Sequence, residues 1–173
     1  MRIFLIGFMG SGKSHVGKRL APKMGYEFID LDHYIEEVAG KSISEIFDDE
    51  GENYFRKLES KTLKSLVEKD DIIISTGGGT PCFFDNMEWM NQHGKTVFLD
   101  VATPILVARL LPRTAHRPLL AGKSPEELAL FIEEKLEARR KDYEQSEIVL
   151  VQEKVEMNRV AILVERLVNN TSF

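Results

Sequence analysis

The eight residues Gly7-Phe8-Met9-Gly10-Ser11-Gly12-Lys13-Ser14 constrain this chain more than any other stretch. They follow the phosphate-loop pattern of glycine, four residues, glycine, lysine, then serine or threonine. The flanks agree with it. Arg2-Ile3-Phe4-Leu5-Ile6 enters the loop as a short apolar strand, and Ser14-His15-Val16-Gly17-Lys18-Arg19-Leu20 leaves it with helical spacing. Glycines at 7, 10 and 12 allow a sharp turn and a close approach of the backbone to a ligand. Successive N–H groups then face one concavity that suits phosphate oxygens, with Gly10, Ser11, Gly12, Lys13, Ser14 and His15 as the candidate contacts. Lys13 can reach the β- and γ-phosphates, and the Ser14 hydroxyl can ligate magnesium. The plain alternative is a glycine-rich turn that joins a strand to a helix. The match at every fixed position, in the right strand and helix context, favours a phosphate site.

The rest of the chain alternates strand and helix patterns. The segments 2–6, 26–30, 72–74, 95–99 and 148–151 read as short apolar strands, and the first has no polar alternation, as expected of a strand buried on both faces of a parallel sheet. Helices are expected over 13–24, from Asp32 to about Ala39, from Ser42 through about 68, over 84–93, 104–111, 125–143 and 156–169. Ser42-Ile43-Ser44-Glu45 and Ser124-Pro125-Glu126-Glu127 carry helix-capping signals. Thr103-Pro104 reads as a helix cap and first helical residue. Five strands alternating with helices predict a parallel α/β fold in one domain over residues 1–173. One stretch breaks the pattern: from Pro112 to Lys123 the chain is basic and aperiodic, with Arg113, His116, Arg117, Pro118 and Gly122, which reads as either a mobile lid or a disordered excursion.

Composition narrows the function classes. At 173 residues the chain can bury a real core, and 43% apolar with 29% charged residues is ordinary for a globular protein. The net charge of −5 gives no global field for nucleic acid, so an anionic substrate must be held by local basic groups. The single cysteine, Cys82, excludes an internal disulfide and a cysteine-rich metal site. No apolar run has the length of a membrane span, and the strand pattern begins at Met1-Arg2-Ile3 with no cleavable leader pattern. The expectation is a cytoplasmic monomer with small-molecule partners and neither nucleic acid nor membrane as partner.

In an open parallel sheet, ligands bind beyond the carboxyl ends of the strands. That rule gathers the phosphate loop, Asp30 and Asp32, and the run Gly77-Gly78-Gly79 on one rim. Asp32 has two readings: a helix N-cap, or a carboxylate that orients an attacking hydroxyl and accepts its proton. Asp30 is either an outer group of a magnesium site or a strand-end residue. The three glycines are either a flexible turn or a place where a ligand touches the main chain. Arg56 and Arg139 could be solvated surface arginines; spacing alone gives them no role. Cys82, Trp89 and the methionines read as packing residues, and His116 as a passenger on the lid.

Taken together, GFMGSGKS, Asp30-Leu31-Asp32, Gly51-Glu52-x-x-Phe55-Arg56-x-x-Glu59, Gly77-Gly78-Gly79, Arg117-Pro118-Leu119 and Arg139-x-x-x-Tyr143 resemble the shikimate kinase family, in order and at family spacing from residue 1 to about 143. The resemblance implies the nucleoside-monophosphate-kinase fold, with five parallel strands in order 2-3-1-4-5 flanked by helices. It implies magnesium-dependent transfer of the ATP γ-phosphate to the 3-hydroxyl of shikimate, in chorismate and aromatic amino-acid biosynthesis. By motif, the region of about 32–68 would bind substrate. Asp32 would hold the substrate hydroxyls and act as base. Arg56 and Arg139 would grip the substrate carboxylate, which prefers planar, multi-donor partners. The backbone at Gly77, Gly78 and Gly79 would touch the ring, and Arg117 would close over the phosphates with the lid at about 112–123. Arg139 rather than Arg140 is chosen by its distance to Tyr143.

The sequence departs from the family pattern in places. His15 stands where the family usually has a second hydroxyl residue. Arg109 and Arg113 both suit the adenine-stacking position, and Gln152-Glu153-Lys154 shows no adenine-loop signature. Two other functions fit parts of the pattern: a kinase for another small hydroxy acid, such as gluconate, and a non-catalytic ATP-binding module. Asp32 argues against the second, since nucleotide binding alone has no use for a base beyond the second strand.

Overall fold

The structure is a computed structural model that describes residues 1–112, 120–152 and six positions between 162 and 170. Arg113, His116 and Arg117, most of the expected lid, and most of the expected helix over 156–169 lie outside the described residues. The elements run β1 (Arg2–Ile6), α1 (Lys13–Met24), β2 (Glu27–Asp30), α2 (Leu31–Ala39), α3 (Ile43–Ser65), β3 (Ile72–Ser75), α4 (Asn86–His93), β4 (Lys95–Val101), α5 (Thr103–Leu110), α6 (Pro125–Tyr143) and β5 (Ile148–Gln152). The five strands form one parallel sheet in the order β2-β3-β1-β4-β5. This is the expected α/β fold, with the first strand central: Phe4 pairs with Ile74 on one side and Thr96 on the other.

Both faces of the sheet are buried, and β1 shows why its sequence lacks alternation. Ile3 and Leu5 pack with Val16, Leu20, Ile73, Val97 and Leu99 on the α1 side. Phe4 and Ile6 pack with Ile74, Phe98, Leu63, Leu106 and Ile132 on the other. Every residue from Ile3 to Ile6 is fully buried, so each must be apolar whichever way it points.

Local signals explain most element ends. Gly25 and Gly40 stop α1 and α2 in the left-handed conformation, at φ 71° and 65°. Ser42 and Ser124 each form a complete capping box, with Glu45 and Glu127. Two expectations are corrected. Thr103 is not a cap: Ala102 takes the cap position, and Thr103 and Pro104 both lie inside α5, where the proline's missing N–H has no helical acceptor to lose. The helix from Ser42 ends at Ser65, and Gly51, at φ 81° and ψ 173°, breaks its helical path before the Phe55–Arg56 turn.

Candidate active site

The phosphate loop turns out of β1 through Gly7, Gly10 and Gly12, all at positive φ (147°, 78° and 99°). Gly7 also has no room for a side chain: a Cβ would stand 2.8 Å from Ser11 Oγ and 2.9 Å from the Leu99 carbonyl. Gly12 occupies the N-cap of α1 and offers no side-chain acceptor, so the first N–H groups of the helix face the concavity. Lys13 folds back across the loop, its Nζ donating to the Gly7 carbonyl at 2.8 Å and the Phe8 carbonyl at 2.9 Å. The ammonium is thereby held over the loop, where a phosphate would meet it.

A cavity of about 520 Å³ opens in front of this loop, within the usual range for a small-ligand site. Gly12, Lys13 and Ser14 line it on the loop side, Asp30 and Asp32 at the end of β2, and Gly77 and Gly78 beyond β3. The strand-end rule therefore brings the expected residues to one rim. His15 and Arg109 line the same cavity. Burial, then Arg19 and Arg109, hold the His15 imidazole below its ordinary pKa, so it is neutral at pH 7.

Asp30 and Asp32 separate into two roles. Asp30 is the N-cap residue of α2, though its carboxylate bonds no helix N–H. It accepts instead from Ser14 Oγ at 2.6 Å, and Ser14 Oγ lies 3.1 Å from Ser75 Oγ. The Ser14 hydroxyl and the Asp30 carboxylate thus present adjacent hard oxygens at the foot of the loop, a donor set that suits a magnesium ion which keeps most of its water. Among the described residues no cluster of three or more His, Cys, Asp or Glu could hold a metal ion. Asp32 lies one position inside the helix, so the cap reading is overturned for it.

By area Asp32 is exposed, but it lines the cavity, and protein crowds its carboxyl from the other side. Desolvation by those neighbours is the first cause that pushes its pKa up, to about 6. The charges of Glu59 and Asp30 add to the rise, and Lys13 and Arg56 oppose it.

The glycine run is set by close approach rather than by backbone freedom, since none of the three glycines is at positive φ. A Cβ on Gly77 would stand 2.9 Å from Asp32 Oδ1, one on Gly78 would stand 3.3 Å from Arg139 Nη1, and one on Gly79 would stand 2.8 Å from both Nη atoms of Arg56. Three consecutive residues thus abut the three candidate substrate groups. The run is thus a surface on which Asp32, Arg139 and Arg56 converge.

Each arginine is supported. Arg56 donates to Glu59 Oε2 at 2.9 Å and to Glu52 Oε1 at 3.3 Å, and its guanidinium carbon lies 4.2 Å from the Phe83 ring centroid. Glu59 is almost fully buried and also accepts from Thr80 Oγ1 at 2.6 Å. Arg139 lies over Phe8, 5.7 Å from its ring centroid. Arg140 turns away and pairs with Asp100 at 3.0 Å and Glu144 at 3.3 Å, which supports the choice of Arg139. Arg109 donates to the Gly10 and Ser11 carbonyls at 3.2 and 3.3 Å, which places it beside the loop.

Residue reading missed the supports. Glu59, Thr80 and Tyr143 earn their place only through contacts made across 21 and 65 residues of chain. Their only sequence signal was that Glu59 and Tyr143 recur in the family motifs, without a stated task.

The sheet order, the loop at the end of its central strand and the cavity beyond define a phosphate-loop kinase of the nucleoside-monophosphate-kinase type. The shikimate kinase profile matches residues 9–169. The shikimate kinase of Phocaeicola vulgatus is 49% identical over 158 residues, which cover 91% of this chain and 90% of that one. The crystal structure of the Bacteroides thetaiotaomicron shikimate kinase superposes with a TM-score of 0.91 at 42% identity, covering 98% of both chains. The Acinetobacter baumannii shikimate kinase in complex with shikimate superposes at 0.87 with 32% identity, over 99% of this chain and 94% of that one. The chain belongs to the shikimate kinase family.

Proposed function

We propose that this protein transfers the γ-phosphoryl group of ATP to the 3-hydroxyl of shikimate, yielding ADP and shikimate 3-phosphate for chorismate and aromatic amino-acid synthesis. The observation that carries this reading is the convergence of Asp32, Arg139 and Arg56 on the glycine run beside the phosphate loop. A substrate that fills it needs a hydroxyl for the carboxylate and an anionic group for the arginines, held at one distance from a nucleotide phosphate.

The loop N–H groups, Lys13 and Ser14 hold the β- and γ-phosphates. Arg56 and Arg139 grip the substrate carboxylate with planar donors. The backbone of Gly77–Gly79 supports the ring, and the family motif assigns the phosphates to Arg117. A bond forms from the 3-oxygen to the γ-phosphorus while the bond to the β–γ bridging oxygen breaks, and ADP leaves with that electron pair. The hydroxyl proton passes to Asp32. A carboxyl with a pKa of about 6 is mostly ionised at pH 7 and is a better base than an ordinary aspartate. Ser14 and Asp30 are the groups that would hold magnesium, which when bound neutralises phosphate charge.

The same reading makes the protein one kinase domain, with 32–68 as its substrate-binding region, working as a cytoplasmic monomer on small molecules alone. No helix among the described residues is long and apolar enough to cross a membrane. Of the large exposed apolar residues, Val38, Tyr54, Phe84 and Leu130 lie on separate segments, while Val149 and Val151 share one face of β5. A dimer mass by light scattering would remove the monomer from this reading. The decisive assay measures ADP release with ATP, magnesium and a panel of hydroxy acids that includes shikimate and gluconate. Turnover on shikimate is expected; preference for another acid, or ATP binding with no turnover on any, would displace the reading.

A further inference from the structure

Tyr143 is the last residue of α6 and is fully buried beneath the glycine run. Its ring packs on Phe98, with centroids 5.0 Å apart, in the main core. Its hydroxyl donates to the Gly78 carbonyl at 2.5 Å, across 65 residues of chain. Arg139 lies one helical turn before Tyr143 on the same face of α6, close enough for its charge to act on the phenol. One buried hydroxyl thus fixes the carbonyl of the middle glycine of the run, and Arg139 leans on that same glycine, where a Gly78 Cβ would stand 3.3 Å from Nη1.

A packing role alone does not explain the hydroxyl. Phenylalanine would fill the same core space, and a buried hydroxyl is favourable only where its partners are fixed. Burial also pushes the phenol up to about 12, so it remains a proton donor at neutral pH.

We propose that Tyr143 is a positioning residue for substrate binding, which sets the Arg139 guanidinium and the Gly78 peptide in one fixed geometry toward the substrate carboxylate and ring. It is tied to the core through Phe98, so the position of Arg139 is set by the sheet rather than by its own rotamers. Without the hydroxyl, the Gly78 carbonyl loses its donor, and the peptide on which Arg139 leans is released. The guanidinium then samples several positions over Phe8, and the carboxylate finds its partner less often.

The inference rests on Arg139 as the carboxylate partner, and the experiment separates the two claims. Arg139→Gln tests the partner: it should raise the shikimate KM and erase the preference for shikimate over its carboxamide analogue. Tyr143→Phe tests the positioning. We expect the shikimate KM to rise on the order of ten-fold, as for loss of one buried hydrogen bond, with the ATP KM within about two-fold. The preference for shikimate over the carboxamide should fall in step. In the Arg139→Gln background, Tyr143→Phe should change the shikimate KM little further, because it acts through the arginine. Gly78→Ala displaces the same guanidinium with the tyrosine intact and should give the same KM signature, which keeps the test available if Tyr143→Phe proves too unstable to assay. A normal shikimate KM in Tyr143→Phe with only a lower melting temperature would reduce the residue to packing. So would equal rises in both KM values, or full additivity with Arg139→Gln. A normal shikimate KM in Gly78→Ala would equally overturn the idea that this geometry sets substrate affinity.

Discussion

Asp32 and Glu59 meet at Gly77: a methyl group on that glycine would stand 2.9 Å from Asp32 Oδ1 and 3.0 Å from Glu59 Oε1. Only one of these carboxylates is matched. Glu59 is tied to Arg56 and Thr80 in the core, whereas Asp32 opens on the cavity. Desolvation first, then the charges of Glu59 and Asp30, push the Asp32 pKa up to about 6. A carboxylate held in the core thus adds to the rise in pKa of one that faces the cavity.

The pH profile of kcat/KM for shikimate should therefore show an acid limb near pH 6, set by Asp32 in the free enzyme. Asp32→Asn should lower kcat by roughly 10²–10⁴-fold, the usual worth of a positioned base. Asparagine leaves the helix cap untouched, since the cap position belongs to Asp30. Retention of most of the wild-type kcat would place the base elsewhere.

The same substitution should change stability in the opposite sense. The folded pKa of Asp32 lies above its ordinary value, so the folded state holds the proton more tightly than the unfolded chain. The charge penalty is absent below the unfolded value near 3.8 and fully imposed above about 6. At pH 8 Asp32→Asn should melt above the wild type, and that advantage should shrink to nothing by pH 4. Melting curves of both proteins at the two pH values check the sign; a variant less stable at pH 8 than at pH 4, relative to wild type, contradicts it.

Arg56 uses its whole fork. Nη1 serves Glu59, Nε and Nη2 serve Glu52, and the plane lies over Phe83. Lysine has no plane to stack and no second edge to offer a carboxylate. Arg56→Lys should raise the shikimate KM by roughly 10–100-fold while the ATP KM stays within about two-fold, a loss in line with charged hydrogen bonds. Equal effects on both substrates would mean that the site had loosened as a whole.

Lys13 is poised over the loop by two carbonyls of that same loop. Lys13→Ala should keep the fold, because the loop turns on its glycines and its Ser11-to-Phe8 backbone bond. Turnover should fall by at least about 10²-fold, the scale for losing one preorganised charge at a developing anion. Circular dichroism and steady-state rates on the same preparation test both halves.

How far the sequence revealed all this depends on the range of the signal. The loop, the strand ends and the capping boxes are local, and Gly7–Ser14, Ser42–Glu45 and Ser124–Glu127 could each be read from a few neighbouring residues. The cap at Ala102 was missed because Thr103 is the better capping residue by chemistry, yet the chain leaving β4 fixes where the helix can begin. Asp32 could not be told from a cap by spacing, since a shift of two residues decides it. Arg56, Arg139 and the reason for three glycines were invisible residue by residue. Their meaning lies in contacts between α3, α6 and the end of β3, and only the family motifs hinted at them.

Gly17 gives a case where local and tertiary rules oppose each other. It lies in the middle of α1, where alanine would favour the helix by about 1 kcal/mol. Propensity alone therefore predicts that Gly17→Ala stabilises. The packing says otherwise. A Cβ at Gly17 would stand 2.3 Å from Phe28 Cε2, 2.6 Å from Phe28 Cδ2 and 3.3 Å from Leu5 Cδ1. Leu5 is fully buried in the central strand and cannot retreat, so either Phe28 swings outward or α1 lifts from the sheet. Overpacking of this kind costs about 1–3 kcal/mol, which exceeds the gain in propensity. Because α1 carries Lys13 and Ser14 on its first turn, lifting it should also raise the ATP KM. Gly17→Ala is therefore expected to lower the melting temperature, and Phe28→Ala in the same chain should recover part of the loss, since it removes the ring that the new methyl group meets. A stabilised Gly17→Ala, or a double variant whose losses simply add, would show that the close contact between α1 and β2 is not what requires glycine there.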